Sequence, residues 1–159
     1  MTFWKQFKPK SCSIHLEALT KEAVLREIVE TLVAGGALEE TRAEAAFAAL
    51  IERETVASTG VGHNIAIPHV KLAGLEQAVA SLCVHPAGVE WAAVDGEPVH
   101  VIFTVLRPDK AGNLHDPERH LEMMRWVARL GRERDFRQFA LQVRTRTELV
   151  DLLKEMSQV

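Results

Sequence analysis

The sequence is poor in the features that assign a chain to a special class. Its 159 residues include two cysteines, Cys12 and Cys83, with no Cys-x-x-Cys spacing. That speaks against a disulfide framework and a cysteine-rich zinc site, and makes a reducing cytoplasm the expected setting. No window offers the ~18 uninterrupted apolar residues of a membrane span, and the opening MTFWKQFKPKSC has no apolar core of signal-peptide length. A cytoplasmic location without membrane insertion is therefore expected. The formal net charge of -3 leaves no basic footprint that would recruit nucleic acid by counterion release. No internal repeat or low-complexity linker interrupts the chain, so one domain over residues 11–157 is expected behind a loosely packed arm of residues 1–10.

What is present is ordinary globular material, 47% hydrophobic and 26% charged, enough to bury roughly 70% of the surface of the unfolded chain. Ile14 and Leu16 alternate within Ser11 to Leu19, in the manner of a short edge strand. Thr20 is placed to cap a helix from Lys21 to Ala34, with apolar pairs at four-residue intervals and Gly35-Gly36 as its stop. Thr41 to Glu44 has capping-box spacing ahead of a second helix with Ala46, Phe47, Leu50 and Ile51 on one face and Arg53 near its end. Ala78 to Val84 and Val99 to Leu106 read as strands joined through an Asp95-Gly96 turn. Asp116-Pro117 opens a helix that should end at Gly131, a fourth helix is expected over Asp135 to Val143, and Thr145 to Glu148 caps a last one. Helices first and then clustered strands predict an α/β chain of α+β-like order, a sheet with helices on its faces.

The chemistry concentrates between Glu54 and Lys71. Pro68 is expected to end the strand Ile65-Ala66-Ile67 and so present His69 at the sheet's edge. A neutral imidazole held there offers a lone pair to phosphorus or a metal, provided a carbonyl or carboxylate fixes its other nitrogen. Ser58-Thr59-Gly60-Val61-Gly62 joins two hydroxyls to two glycines that let amides converge on an anion, although the Gly-x4-Gly-Lys of a phosphate loop is missing. A zinc site of His63, His69 and His120, serving a metal-dependent hydrolase, stays open if the fold gathers them, but none has the i, i+4 spacing of a helical metal pair. No Gly-x-Ser-x-Gly marks a serine nucleophile.

The run RETVASTGVGHNIAIPH, Arg53 to His69, closely resembles the active-site signature of the fructose/mannitol-type (type 2) enzyme IIA domains of the phosphoenolpyruvate-dependent sugar phosphotransferase system, nitrogen-regulatory IIA proteins included. HLEMMRWVA (His120 to Ala128), DGEPV (Asp95 to Val99) and Leu106-Arg107-Pro108 extend the resemblance from about Ser11 to Met156. It implies a mixed sheet of about five strands flanked by helices on both faces. It further implies a phosphocarrier whose His69 takes a phosphoryl group from the phosphocarrier HPr or its nitrogen-branch counterpart. His120 would hydrogen-bond the phosphoryl oxygens, Arg53 would neutralise them, and Ser58, Thr59, Gly60 and Gly62 would bind phosphate. No metal or cofactor is implied. The phosphoryl group would pass to a IIB domain or serve as a regulatory signal, and with no IIB or IIC segment in the chain the regulatory role is expected. Val70 stands where the family usually has a small residue. A β-branched side chain there is expected to crowd the partner-facing surface, which motivates the alternative of an interaction module that keeps the fold but transfers nothing.

Overall fold

Val99–Arg107 (β5), buried on both faces and largely apolar, sits at the centre of the sheet and sets the position of the rest. A computed structural model of the chain describes residues 2–157. On one side of β5 runs Val79–Val89 (β4), antiparallel, with a bulge between Val84 and Val89. On the other side lie Ile65–Ala66 (β2) and His69–Lys71 (β3), both parallel to β5. Gly60–Gly62 (β1) pairs back on β2 as a hairpin.

β2 and β3 are one strand with a gap. Ile65 stands opposite Val101, Ala66 opposite Ile102, His69 opposite Val105, Val70 opposite Leu106 and Lys71 opposite Arg107, so the register is unchanged across Ile67-Pro68. The expectation that Pro68 ends the strand is thereby corrected. Proline lacks only the donor, and its carbonyl still accepts from Val105 N–H at 2.9 Å. His69 is an edge residue in a different sense, because no strand among the described residues pairs with the outer side of β3.

Alternation along these strands sends side chains to two separate cores. Ile65, Ile67, Val101, Phe103 and Val105 join one cluster with the helices Pro117–Arg132 (α3), Arg134–Ala140 (α4) and Arg146–Met156 (α5). Ala66, Ile102 and Leu106 join the other with Lys21–Ala34 (α1) and Ala43–Val56 (α2). The mixed five-stranded sheet with helices on both faces is thus the observed architecture. No helix among the described residues is long and apolar enough to cross a membrane.

Three of the helix starts follow local chemistry as expected. Thr20 accepts from Ala23 N–H at 3.2 Å, Asp116 from Glu118 N–H at 3.0 Å and Thr145 from Glu148 N–H at 3.0 Å. The capping box at Thr41 does not form, because Thr41 lies inside a short 3-10 turn, Glu40–Arg42, and α2 follows with no side-chain cap. An N-cap hydroxyl needs extended backbone at its own residue. α4 is shorter than expected, and α3 runs one residue past Gly131. Ser11 to Leu19 forms no strand; only Ser13 makes a bridge, to Cys83, so it covers part of the outer edge of β4. Residues 2–10 are not loose either. Phe3 and Phe7 are 4% and 1% exposed, and Phe7 meets the Phe103 ring edge-on at 5.9 Å.

Phe7→Ala should therefore cost about 3–5 kcal/mol, the usual range for emptying a buried phenylalanine site. Urea unfolding checks this, and a loss below ~1 kcal/mol would mean that the arm does not belong to the core.

Candidate functional site

At His69 the backbone itself sets the state of the ring. Its Nδ1 lies 2.9 Å from the carbonyl oxygen of Ile67, two residues back. A carbonyl only accepts, so Nδ1 carries a proton, and in the neutral ring it is Nε2 that keeps the lone pair. The side chain is exposed. The requirement that one nitrogen be fixed by a carbonyl is thus met within the Ile67-Pro68-His69 segment.

Register then decides what surrounds the ring. His69 and Lys71 alternate with Val70, and they share the sheet face of Ile65, Ile67 and Val105, the face covered by α3. Arg107, opposite Lys71, emerges on the same face. Val70 turns the other way and packs half-buried against the α1/α2 cluster. The expected crowding of the partner-facing surface by Val70 is corrected: it occupies a regular strand position with its side chain on the opposite side of the sheet from His69.

α3 brings His120 to this face. The ring is half-buried beside His115, 5.4 Å away and edge-on, and its buried Nε2 has no hydrogen-bond partner. Burial first, then the neighbouring charges of His115, Arg107 and His69, hold its pKa down at about 4 instead of the ordinary 6.5. His120 is therefore a neutral imidazole at physiological pH. A cavity of about 70 Å³ opens beside it, lined by Phe3, Gln6, His115, Arg119 and Met123 among others.

Arg53 and the glycine run sit differently. Arg53, in the last turn of α2, donates through Nη1 to the Ala57 carbonyl at 2.6 Å, closing the end of its own helix. α2 packs over β3 from the face opposite His69, and no hydrogen bond or ion pair joins Arg53 to His69 or His120 among the described residues. Ser58 and Thr59 have their hydroxyl hydrogens engaged. The Ser58 hydroxyl donates to Trp91 O at 2.8 Å and accepts from Gly60 N–H at 3.1 Å. Thr59 donates its amide to Glu54 Oε1 at 3.1 Å and its hydroxyl to Glu54 Oε2, while accepting from Trp91 Nε1 at 3.0 Å. Lys21 Nζ completes the Glu54 carboxylate at 3.1 Å. Gly62 pairs with Ile65 in the hairpin.

His69, His120 and Arg107 are gathered at one end of the sheet, whereas His63 lies at the tip of the β1–β2 hairpin. Among the described residues no three His, Cys, Asp or Glu side chains are grouped to hold a metal ion, so the His63/His69/His120 set is not formed. Four participants escaped the sequence reading. Arg107 needed the parallel register, His115 has no helical spacing to His120, and the Glu54–Trp91 link spans residues far apart in the chain. Only Glu54 carried a local signal, as the acid that opens the signature.

Comparison with known proteins bears on the family and the fold. The family model "Phosphoenolpyruvate-dependent sugar phosphotransferase system, EIIA 2" matches residues 5–156. A nitrogen regulatory protein of Pseudomonas aeruginosa is 36% identical over 120 residues, 76% of this chain and 73% of its own length. The fructose-specific EIIABC component of Bacillus subtilis is 28% identical over 142 residues, 89% of this chain but 21% of that protein. The crystal structure of nitrogen regulatory protein IIA-Ntr from Neisseria meningitidis superposes with a TM-score of 0.83 at 26% identity, over 96% of this chain and 99% of the other.

In an NMR titration His120 should stay neutral until pH falls to about 4. With its pKa lowered in the folded state, the unfolded chain takes up the proton first, so stability from this group is complete above about 6.5 and is lost as pH falls toward about 4. His120→Gln should flatten that part of the stability profile; an ordinary His120 midpoint would contradict the burial assigned to it.

Proposed function

The chain belongs to the phosphoenolpyruvate-dependent sugar phosphotransferase system EIIA 2 family, and from that premise we propose that it is a phosphocarrier that accepts a phosphoryl group on Nε2 of His69. The observation that carries this reading is the Nδ1 contact with Ile67 O, which leaves the Nε2 lone pair outward on an exposed edge strand. In the transfer, Nε2 attacks phosphorus and a P–N bond forms. The donor's P–N bond breaks, and its electron pair returns to the donor histidine's imidazole. Nδ1–H stays on its carbonyl throughout, so no proton need leave His69.

A loose phosphoryl transition state asks for alignment and charge neutralisation more than for covalent chemistry. His120 suits the first need, since a neutral ring with an unpartnered nitrogen has a hydrogen bond to offer without a competing partner. For the second, Arg107 and Lys71 lie on the His69 face, and Arg53 reaches the site around the open edge of β3 by releasing Ala57 O. Ser58, Thr59, Gly60 and Gly62 enter as the frame of the site. For Ser58 and Thr59, direct phosphate ligation through hydroxyl hydrogens requires giving up bonds to Trp91 and Glu54. The donor is a histidine phosphocarrier of the HPr type, and the phosphoryl group either passes to a IIB-type acceptor or marks the protein for a regulatory partner. The likeness to nitrogen regulatory proteins over most of both chains favours the regulatory use. With Val70 directed away from His69, nothing observed favours the non-transferring module.

Incubation with phosphoenolpyruvate, enzyme I and HPr should give acid-labile, alkali-stable phosphate on the wild type and none on His69→Ala. An unlabelled wild type would end the carrier reading, and label on His69→Ala would end the site assignment. His120→Ala should slow transfer by about 10²-fold, the usual effect of losing one preorganised donor, while leaving His69 modifiable. Arg53→Ala should shorten the lifetime of the phosphorylated state. Phosphorylation should also raise the His120 titration midpoint above about 4, because an anion beside a histidine favours its charged form.

A further inference from the structure

At the other end of the strand, roughly 17 Å from His69 at about 3.3 Å per residue, a second cleft of about 270 Å³ opens at the tip of the β1–β2 hairpin. His63, Asn64, His100, Arg134, Arg137 and Gln138 contribute to its walls, and no carboxylate does. Glu133 and Asp135 flank Arg134 in sequence without lining the cleft. Asp95 is held by the amides of His63 and Glu97, both at 3.1 Å.

The walls are fixed by contacts that leave their charge free. Arg134 and Arg137 stand one turn apart on α4, the spacing that puts two side chains on one helix face. Arg137 spends Nη1 on Gly131 O at 3.0 Å and keeps the rest of its fork, and Arg134 has no hydrogen bond or ion pair among the described residues. His100 is braced by the contact of its Nδ1 with His85 O at 3.0 Å. The hairpin tip adds an independent sign. Gly62, His63 and Asn64 have φ of 95°, 56° and 65°, a turn for which glycine and asparagine are the unstrained choices. Asn64 uses its position fully, with Nδ2 on Pro98 O at 2.8 Å and its carbonyl accepting from His100 and Val101 at 2.9 and 3.1 Å. The exposed His63 ring has no hydrogen-bond partner among the described residues, so the strain of holding a histidine there is not offset by packing.

We propose that this cleft binds a small phosphate dianion, free or borne on a metabolite. The two guanidiniums supply forked, charge-assisted hydrogen bonds, which suit several oxygens around one phosphorus. His63 and Gln138 contribute from the surrounding walls. A single carboxylate would be satisfied by one fork and leave the second arginine and the strained histidine without a role. The proposal is independent of phosphoryl transfer at His69, which lies beyond the length of the strand.

Histidine ring signals in NMR, followed at constant ionic strength during titration with inorganic phosphate and separately with glycerol 3-phosphate, test it. Saturable shifts of His63 and His100 are expected; tighter binding of glycerol 3-phosphate identifies a metabolite site and equal or tighter binding of inorganic phosphate a free-ion site. The double substitution Arg134→Ala/Arg137→Ala should weaken binding at least tenfold. His63→Gly should weaken it several-fold while raising Tm, since glycine takes this backbone without strain; a purely structural His63 would not give that pairing. Shifts confined to His69 and His120, or an affinity unchanged in the double variant, would overturn the proposal.

Discussion

The parallel pairing of Ile65–Lys71 with Val101–Arg107, kept in one register across a proline, is the constraint on which the rest of the site depends. It is cheap to keep, because the proline loses a donor at the point where its carbonyl is still used by Val105. With the period of two preserved, His69, Lys71 and Arg107 emerge on the face covered by α3, and Val70 goes into the core between the sheet and α1/α2. A slip of one residue would exchange these faces, burying the histidine and exposing the valine. Both buried clusters oppose such a slip.

Around that strand two arrangements hold the site from opposite directions. On the α2 side, the Glu54 carboxylate gathers Lys21, the Thr59 amide and the Thr59 hydroxyl, and Trp91 ties the same hydroxyl to the loop before β5. These bonds satisfy a buried acid and set the path of the chain into β1. On the α3 side, His120 is kept uncharged by burial and by cationic or protonatable neighbours. The first is fully bonded, whereas the second keeps an unpartnered nitrogen on the face that carries the exposed His69. The cost of that orphan is accepted where an anion would relieve it.

Much of the fold was legible locally. Thr20, Asp116 and Thr145 announced their helices because a hydroxyl or carboxylate acts on an amide two or three residues away. The strands of β4 and β5 were visible as β-branched runs. The misreadings have one source, in that tertiary packing overrode a correct local pattern. Thr41 has the right spacing for a cap but lies in a preceding 3-10 turn. Ser11 to Leu19 alternates like a strand, yet with β4 it makes only an isolated bridge at Ser13 and one further backbone bond, from Leu16 N–H to Val84 O. Phe3 and Phe7 looked like an arm until a hydrophobic slot between Phe103 and Trp126 took them in.

The signature from Arg53 to His69, with its glycines, its proline and its histidine, was determined by the sequence, as were the helix that carries His120 and the family both belong to. These are features in which chemistry acts over a few residues. Tertiary structure decided which nitrogen of His69 is free, that Ser58 and Thr59 are spent on Glu54 and Trp91, that Val70 turns inward, and that Arg107 and His115 join the site while His63 joins another cleft. The state of His69 turns on a carbonyl two residues back that only the folded strand brings to the ring. The rest need partners tens of residues away, Trp91 for Ser58 and Thr59, the α1/α2 cluster for Val70 and β3 for Arg107. A parallel strand register, unlike a helix cap, leaves no mark on the residues beside it in the chain.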